Sequence, residues 1–313
     1  MGGATASWFT AALDVPVDVG SVTVDGATIM FRAWGRRGDP GIVLVHGGAA
    51  HARWWDHIGP ILAVGGKRVV ALDLSGHGDS GRRETYDLDR WGREVMAVAE
   101  AADASELPLI VGHSMGGFVA LRTIVTFPYS LAGVIVVDSP LRELSAEQVA
   151  AFADLPVPPN NVYPSRDAAL RRFRPVPDQP VIDYIAAHIA EHSLRAERDG
   201  WTWKFDPRIV SRAFFAPSEL DASENLRIAL IRGERGLLTS DMVDSALRRN
   251  GHFFPDIEIP DAGHHIMLDQ PLALVAALRT LIEAWGQPAH RTVAHPSGEL
   301  AGRQKPSGHP AST

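Results

Sequence analysis

Short apolar runs alternate along the chain with longer segments that carry apolar residues at helical spacing. The runs lack any internal alternation of apolar and polar positions, which is typical of strands covered on both faces. They lie at residues 41–45, 69–72, 109–111, 133–137 and 228–231. Between them, segments such as 87–102, where Trp91 and Val95 are four positions apart, predict amphipathic helices. This order of elements predicts a parallel sheet with helices on both faces.

The two ends of the pattern are different. Residues 15–24 are rich in valine at alternating positions, Asp25-Gly26 is a hairpin turn signal, and residues 27–33 return as a second strand. The chain is therefore expected to begin its sheet with an antiparallel pair. The last strand and the final helix are predicted at residues 256–260 and 271–285, the helix opening on Pro271.

Residues 139–218 interrupt the alternation of strands and helices. Prolines cluster there, helical spacing over residues 180–198 predicts the longest helix, and the stretch 201–207 is unusually aromatic. We interpret this region as a helical cap that lies over the site, inserted into a core formed by residues 1–138 and 219–286. The stretch 287–313 is rich in Pro, Gly, Ser and His, with little to bury, and is expected to be a disordered tail.

Composition excludes several classes of function. The 313 residues are 45% hydrophobic, enough for a substantial core, and carry a formal net charge of −7 with no basic stripe, so nucleic acid is not an expected partner. The absence of cysteine excludes disulfides, thiolate catalysis and zinc–thiolate sites. No apolar run approaches the roughly 20 residues of a membrane span, and the first residues lack the pattern of a signal peptide. We expect a cytoplasmic protein without cofactor that acts on a small molecule, and leave open a homodimer.

The strongest chemical signal is Gly112-His113-Ser114-Met115-Gly116, between the apolar run 109–111 and a segment with helical spacing. In a strand–turn–helix context, Gly-x-Ser-x-Gly is typical of a nucleophile elbow, which holds a strained serine above the edge of the sheet. The N–H of Met115 at the helix start would face an oxyanion formed at Ser114. The alternative is a chance match in a glycine-rich chain.

Other polar groups follow the ends of other predicted strands. His46-Gly47-Gly48 follows the first buried strand, where the Gly48 N–H is a candidate second donor of an oxyanion hole, and Asp138 ends the strand 133–137. Ligands of such sheets bind at the carboxyl ends of the strands, so the shared placement predicts a single site. The loop 73–80 is glycine-rich but lacks the spacing of a phosphate loop.

Together these segments resemble the α/β-hydrolase family, in its serine-nucleophile branch with a helical cap. The resemblance covers about residues 15–285 and rests on His46-Gly47-Gly48, the loop 73–80, the segment 112–117 and Ala262-Gly263-His264, in family order. It implies a mostly parallel sheet of eight strands flanked by helices, with the cap inserted after the sixth strand. It also implies a Ser, acid, His order of catalytic residues.

Within that triad the resemblance assigns Ser114 as the nucleophile and His264, after a glycine, as the base. His265 is expected to pack beside it, and adjacent histidines without chelating spacing do not predict a metal site. The acid is open. The family's usual Gly-x-x-Asp position is occupied by Gly236, which leaves Asp138, an alternative place for the acid in this family, and Glu234. We favour Asp138, because a carboxylate at a strand end points at the site.

The expected function is a serine hydrolase that cleaves a carboxylic ester, thioester or lactone through an acyl-enzyme. Its substrate pocket is predicted to include Gly47, His113, Trp54, Trp201, Trp203 and Phe205, although the aromatic residues could equally serve as packing. Dehalogenases and epoxide hydrolases of this family use an aspartate nucleophile, which makes those reactions unexpected here. The alternatives are a carbon–carbon bond hydrolase, a cofactor-free oxygenase or perhydrolase, or a non-catalytic ligand receptor.

Overall fold

The structure is a computed structural model that describes residues 5–104, 107–145, 147–148, 161–211, 214–220, 226–250 and 253–286. The predicted tail at 287–313 lies outside the described residues. The strands within the described residues are β1 Asp18–Val24, β2 Ala27–Trp34, β3 Gly41–Val45, β4 Arg68–Leu72, β5 Leu109–His113, β6 Gly133–Val137, β7 Leu194–Glu197, β8 Gly200–Trp203, β9 Ile228–Arg235 and β10 Phe253–Gly263. Eight of them form the central sheet, in the order β1-β2-β4-β3-β5-β6-β9-β10.

The sheet confirms the predicted mostly parallel, eight-stranded core. Strands β1 and β2 form the expected antiparallel hairpin, β2 pairs antiparallel with β4, and the remaining neighbours are parallel. Every residue of β3, β4, β5 and β6 is buried, as the continuous apolar runs predicted. Because these strands are parallel, their carboxyl ends lie along the same edge of the sheet.

Helices cover both faces of the sheet. They are α1 Ser7–Leu13, α2 Gly59–Ala63, α3 Leu88–Ala101, α4 Met115–Thr126, α5 Arg166–Leu170, α6 Asp183–His192, α7 Ser240–Asn250, α8 Ile266–Asp269 and α9 Pro271–Gly286, with 3-10 turns at Ala52–Trp55, Pro207–Ser211 and Pro217–Glu219. Asp87 caps α3 by accepting a hydrogen bond from the Arg90 N–H, and Trp91 and Val95 are buried. Helices α3 and α4 share one apolar core with the sheet, and α2 and α9 contribute to the other.

One predicted helix is shorter than expected, and the segment after β3 is divided into two short pieces. Residues 52–63 form a 3-10 turn and the separate helix α2, which starts at Gly59-Pro60 because proline has no N–H to donate and is best placed in the first turn of a helix. The helix expected over 180–198 ends at His192, and the chain then reverses through the hairpin β7–β8. The inserted region therefore contains a β-hairpin beside its helices. The aromatic stretch supplies β8, where Trp201 exchanges backbone hydrogen bonds with Tyr163.

No helix among the described residues is long and apolar enough to cross a membrane.

Candidate active site

Ser114 occupies a strained turn between β5 and α4. Its φ of 53° and ψ of −121° lie in a region that residues with side chains avoid. The flanking glycines are required by close approaches, since a Cβ on Gly112 would lie 2.1 Å from the Gly116 carbonyl oxygen, and one on Gly116 would lie 2.5 Å from the carbonyl oxygens of Val45 and His46. The Ser114 N–H donates to the Val137 carbonyl at 2.9 Å. This turn directs the half-buried hydroxyl to the carboxyl edge of the sheet.

Asp138 and Ser139 directly follow β6, and Ser139 contacts the turn at Ser114. The Ser139 hydroxyl donates to the Ser114 carbonyl at 2.7 Å. A Cβ on Gly117 would lie 2.0 Å from that same hydroxyl, so the second glycine of the pair is also required. Ser139 is absent from the site residues predicted from sequence, because a serine after a strand has many ordinary roles.

A chain of two hydrogen bonds joins three side chains that are far apart in sequence. His264 Nε2 lies 3.0 Å from Ser114 Oγ, and His264 Nδ1 lies 2.7 Å from Asp138 Oδ2. A carboxylate can only accept, so Nδ1 carries the proton that it donates to Asp138. Nε2 then keeps its lone pair, which faces the serine hydroxyl. Both His264 and Asp138 are buried, at 3% and 0% exposure, so water does not compete for this contact.

The carboxylate of Asp138 is held by the end of β9 and by the loop that follows it. It accepts hydrogen bonds from the N–H groups of Gly233 at 3.2 Å and Leu237 at 2.7 Å, in addition to the His264 ring. Such bonds satisfy the acceptor atoms of a buried carboxylate and fix its position. Glu234 lies elsewhere: it is exposed, and its carboxylate accepts from the Asp261 N–H at 2.7 Å.

The loop after β3 lies beside the start of α4. A Cβ on Gly48 would lie 3.9 Å from the Met115 Cβ, so the backbones of the two residues run close together. Met115 is the first residue of α4, so its N–H has no acceptor within the helix. The two N–H groups named in the sequence analysis therefore belong to adjacent segments beside Ser114.

Hydrogen bonds from the buried side chains of His46 and Asp73 hold the loop after β3 in place. His46 Nε2 accepts from the Leu74 N–H at 3.1 Å, so its Nδ1 donates to the Gly47 carbonyl at 2.7 Å, and burial lowers the pKa of His46 to about 4. Asp73 accepts from the Ala52 N–H at 2.7 Å and from the Asp79 N–H at 2.8 Å. Burial raises the pKa of Asp73 to about 6. The side chain of Asp73 in the loop 73–80 thus hydrogen-bonds to backbone N–H groups of its own loop and of the neighbouring segment. This agrees with the lack of phosphate-loop spacing in the loop.

Two more histidines pack against His264. The His113 Nε2–H donates to the His264 carbonyl at 3.0 Å, and the His265 Nε2–H donates to the Val176 carbonyl at 3.0 Å. Burial keeps both rings neutral, holding the pKa of His113 well below its usual value and lowering that of His265 to about 3. The Trp54 ring centroid lies 5.3 Å from that of His265, which places this buried indole at the site.

In the part of the chain that the structure describes, His113, His264 and His265 form a group that could hold a metal ion, since they offer nitrogen atoms within 4.8 Å of one another. The third histidine comes from β5, so sequence spacing gave no sign of it. Only the lone pair that faces Ser114 is free on His264, because its other nitrogen donates to Asp138. An ion bound here would therefore take the base away from the serine.

The aromatic residues that were predicted to line the pocket from the inserted region contact other residues of that region or of the core. The Trp203 Nε1–H donates to the Tyr163 hydroxyl at 3.3 Å, and its ring lies near that of Phe173. Phe205 forms an isolated bridge with His77 and packs against the core. Among the contacts seen in the described part of the chain, none joins Trp201, Trp203 or Phe205 to the Ser114–His264 pair.

Comparison with known proteins identifies the family to which this chain belongs. The model of the alpha/beta hydrolase family matches residues 42–278, which is more than half of the chain. The esterase Rv0045c of Mycobacterium tuberculosis is 28% identical over 270 residues, covering 83% of this chain and 88% of the esterase. The monoacylglycerol lipase of Mycolicibacterium smegmatis is 32% identical over 120 residues, covering 36% of this chain and 43% of the lipase.

Among solved structures, the thioesterase domain from the curacin biosynthetic pathway superposes with a TM-score of 0.71 at 22% identity, covering 86% of this chain and 99% of that domain. At this identity the likeness concerns the fold. With the family model, the sheet order and the elbow in agreement, the chain belongs to the alpha/beta hydrolase family and is a hydrolase.

Proposed function

We propose that this protein is a serine hydrolase that cleaves an ester-type bond of a small molecule, a carboxylic ester, thioester or lactone, through an acyl-enzyme. The observation that carries the proposal is the continuous hydrogen-bond chain from Ser114 Oγ through His264 to Asp138, with distances of 3.0 and 2.7 Å. A serine hydroxyl is a weak nucleophile near neutral pH, so it requires a base within hydrogen-bond reach. His264 meets that requirement.

In the first half of the reaction, Ser114 Oγ forms a bond to the carbonyl carbon while its proton passes to His264 Nε2. The carbonyl electron pair moves onto the oxygen and makes a tetrahedral oxyanion. When that pair returns, the bond to the leaving group breaks, and His264 gives its proton to the departing alcohol or thiol. Asp138 stabilises the imidazolium formed between these steps and keeps the ring in the required tautomer.

In the second half, water replaces the leaving group. His264 takes a proton from the water as its oxygen bonds to the acyl carbon, a second oxyanion forms, and the proton returns to Ser114 Oγ as the acid leaves. We propose the N–H groups of Gly48 and Met115 as the donors that stabilise both oxyanions. Removing one such donor in other enzymes costs roughly 10²–10³ in kcat.

The choice of an ester-type bond has two supports. Two of the relatives named above are an esterase and a lipase, and a serine at the elbow forms an acyl ester where an aspartate would form an alkyl ester. We propose the wall of the pocket beside Ser114 to include Gly47, His113 and Trp54. A Cβ on Gly47 would lie 3.2 Å from the Ser114 Cβ, so an acyl group at the serine passes along this backbone.

The test is a panel of purified-protein assays with p-nitrophenyl esters of increasing acyl length, an acyl thioester and a lactone. Wild type should turn over at least one of these and should react with a fluorophosphonate at Ser114. Ser114→Ala should lose both, by on the order of 10⁶ in kcat, while Ser145→Ala, a change at an exposed serine of the inserted region, should lose neither. Ser114→Ala retaining a few per cent of wild-type turnover would exclude the covalent mechanism. A labelled serine without turnover of any ester would point to carbon–carbon bond hydrolysis, oxygen chemistry or ligand binding.

A further inference from the structure

The backbone on both sides of His264 is held by a pair of polar side chains outside the hydrogen-bond chain described above. The N–H of Gly263 donates to Asp269 Oδ2 at 2.6 Å. The N–H of His265 donates to Gln179 Oε1 at 2.8 Å, and Gln179 Nε2 donates to the same Asp269 oxygen at 2.9 Å. Gln179 and Asp269 therefore form a clamp, bonded to each other, that grips the residues immediately before and after His264.

The two halves of this clamp come from different parts of the molecule. Asp269 ends the short helix α8 that follows His264, whereas Gln179 belongs to the region inserted between β6 and β9. A Cβ on Gly263 would lie 2.8 Å from the Gln179 side chain, so a residue larger than glycine before His264 would displace the amide. Gln179 Nε2 also donates to the His265 carbonyl at 3.4 Å, so both polar atoms of this side chain contact the backbone of His265.

Residues on both sides of Gln179 also contact the backbone or side chains that follow His264. The Val176 carbonyl accepts from His265 Nε2 at 3.0 Å, and the Ile182 N–H donates to the Leu268 carbonyl at 2.9 Å. Residues 176–182 thus lie along residues 263–269 with Gln179 in the middle. A displacement of this segment would pull on the backbone of His264 before it reached any other residue of the hydrogen-bond chain.

We infer that Gln179 is a positioning residue, which acts through Asp269 and the His265 backbone to hold His264 Nε2 in reach of Ser114 and so couples the placement of the cap to the reactivity of the serine. The inference rests on the proposed function for the role of His264. The amide suits this task because it accepts at Oε1 and donates at Nε2. A carboxylate in its place could still accept from His265, but would face Asp269 with like charge.

The position of Gln179 allows its effect on His264 to be measured without unfolding the protein. Gln179 is half-buried and lines a cleft of about 410 Å³ together with Asp269, Gly263 and Gln270. Water can therefore replace a shortened side chain at this position, and the loss of the clamp should leave the core intact. Gln270 is a matched control, a half-buried amide on the same cleft whose side chain makes no hydrogen bond among the described residues.

The experiment compares Gln179→Ala, Gln179→Glu and Gln270→Ala with wild type in three measurements: the second-order rate of fluorophosphonate labelling at Ser114, the separate kcat and KM for the best ester, and the thermal midpoint. A shift of about 1 Å in a reacting group can cost on the order of a hundredfold in rate. We expect both Gln179 variants to lose tenfold to a hundredfold in labelling rate and in kcat at similar KM, with melting near wild type. Gln270→Ala should match wild type in all three measurements.

A further change tests the direction of the hydrogen bond. Asp269→Asn in the Gln179→Glu background removes the like charge and should recover part of the lost labelling rate. Labelling and kcat within twofold of wild type in Gln179→Ala would overturn the inference, as would a loss matched by a lowered melting midpoint and by Gln270→Ala. Because labelling requires no substrate, wild type that labels readily but hydrolyses no ester would remove the proposed function and still leave the clamp open to measurement.

Discussion

A Cβ placed on Gly236 would lie 2.1 Å from Oδ1 of Asp138. Gly236 occupies the position after the seventh strand of the core sheet where most family members are expected to carry the acid, and the carboxylate of Asp138 reaches across from the sixth strand into the space that its missing side chain leaves. We propose that the two positions are alternatives for one catalytic carboxylate. Gly236 is explained by close approach, without any requirement for a positive φ.

This relationship predicts that Gly236→Ala is harmful although the substitution adds a single methyl group. The new Cβ must push the Asp138 carboxylate away from His264, and we expect kcat to fall on the order of a hundredfold. The double change Asp138→Gly with Gly236→Asp should recover activity over Asp138→Gly alone, since it moves the acid to the other strand. Steady-state kinetics of the three variants decides; full activity in Gly236→Ala would show that the carboxylate does not need this space.

Asp138→Asn should reduce kcat far more than Glu234→Gln. Asparagine can present its amide N–H to His264 and so favours the wrong tautomer, a change that can cost roughly 10⁴ in kcat. Glu234 is exposed and holds the Asp261 N–H, so its neutral analogue should keep activity within a fewfold. The measurement is kcat and KM for one ester with both proteins, and the reverse ranking would move the acid to Glu234.

The cap aromatics Trp201, Trp203 and Phe205 allow two outcomes. If they form an apolar lid over Ser114, alanine at each position should change the ratio of kcat/KM between esters of different length, since apolar pockets discriminate by about 1–3 kcal/mol per methylene. If they act only as packing, the same changes should lower stability without changing the ranking. The Trp203 contacts to Tyr163 and Phe173 predict a stability loss at that position. Thermal melts measured beside the ester panel separate the two outcomes.

Buried neutral histidines predict a loss of stability in acid. Burial lowers the pKa of His57 to about 4, while its Nε2–H donates to the Met267 carbonyl at 2.8 Å. Between pH 4 and 6.5 the unfolded chain binds a proton at this residue that the folded chain does not, so the free energy of unfolding rises with pH over this window. At pH 5 the cost is about 2 kcal/mol for this one histidine.

His57→Gln tests the assignment, because glutamine can still donate to the carbonyl but does not titrate. Urea unfolding between pH 4.5 and 7 should show a slope with pH that is smaller by about one proton in the variant. The His46 and His265 rings act in the same direction, whereas the raised pKa of Asp73 opposes them, so the difference between the two proteins is the informative quantity. Equal slopes would mean that His57 binds its proton as readily in the folded chain as in the unfolded chain.

The sequence by itself determined the elements whose cause is local. Continuous apolar runs marked the central strands, because a strand covered on both faces has no polar side. The glycines around Ser114 marked the elbow, since a tight turn between strand and helix excludes side chains from its flanks. Gly263-His264 similarly marked a histidine at the end of the last strand. Each of these signals lies within a few residues of the feature that it predicts.

Tertiary structure alone decided the features that depend on distant residues. The sequence offered Asp138 and Glu234 as acids, and only the fold shows which carboxylate lies 2.7 Å from a histidine 126 positions away. After the helix that ends at His192, the chain forms the hairpin β7–β8, and β8 also pairs with Tyr163, which is far away in sequence. Gln179, Asp269 and Ser139 have unremarkable neighbours in sequence. Their contacts are seen only in the folded structure, because packing brings polar atoms from separate segments within hydrogen-bond distance. No local sequence pattern predicts such contacts.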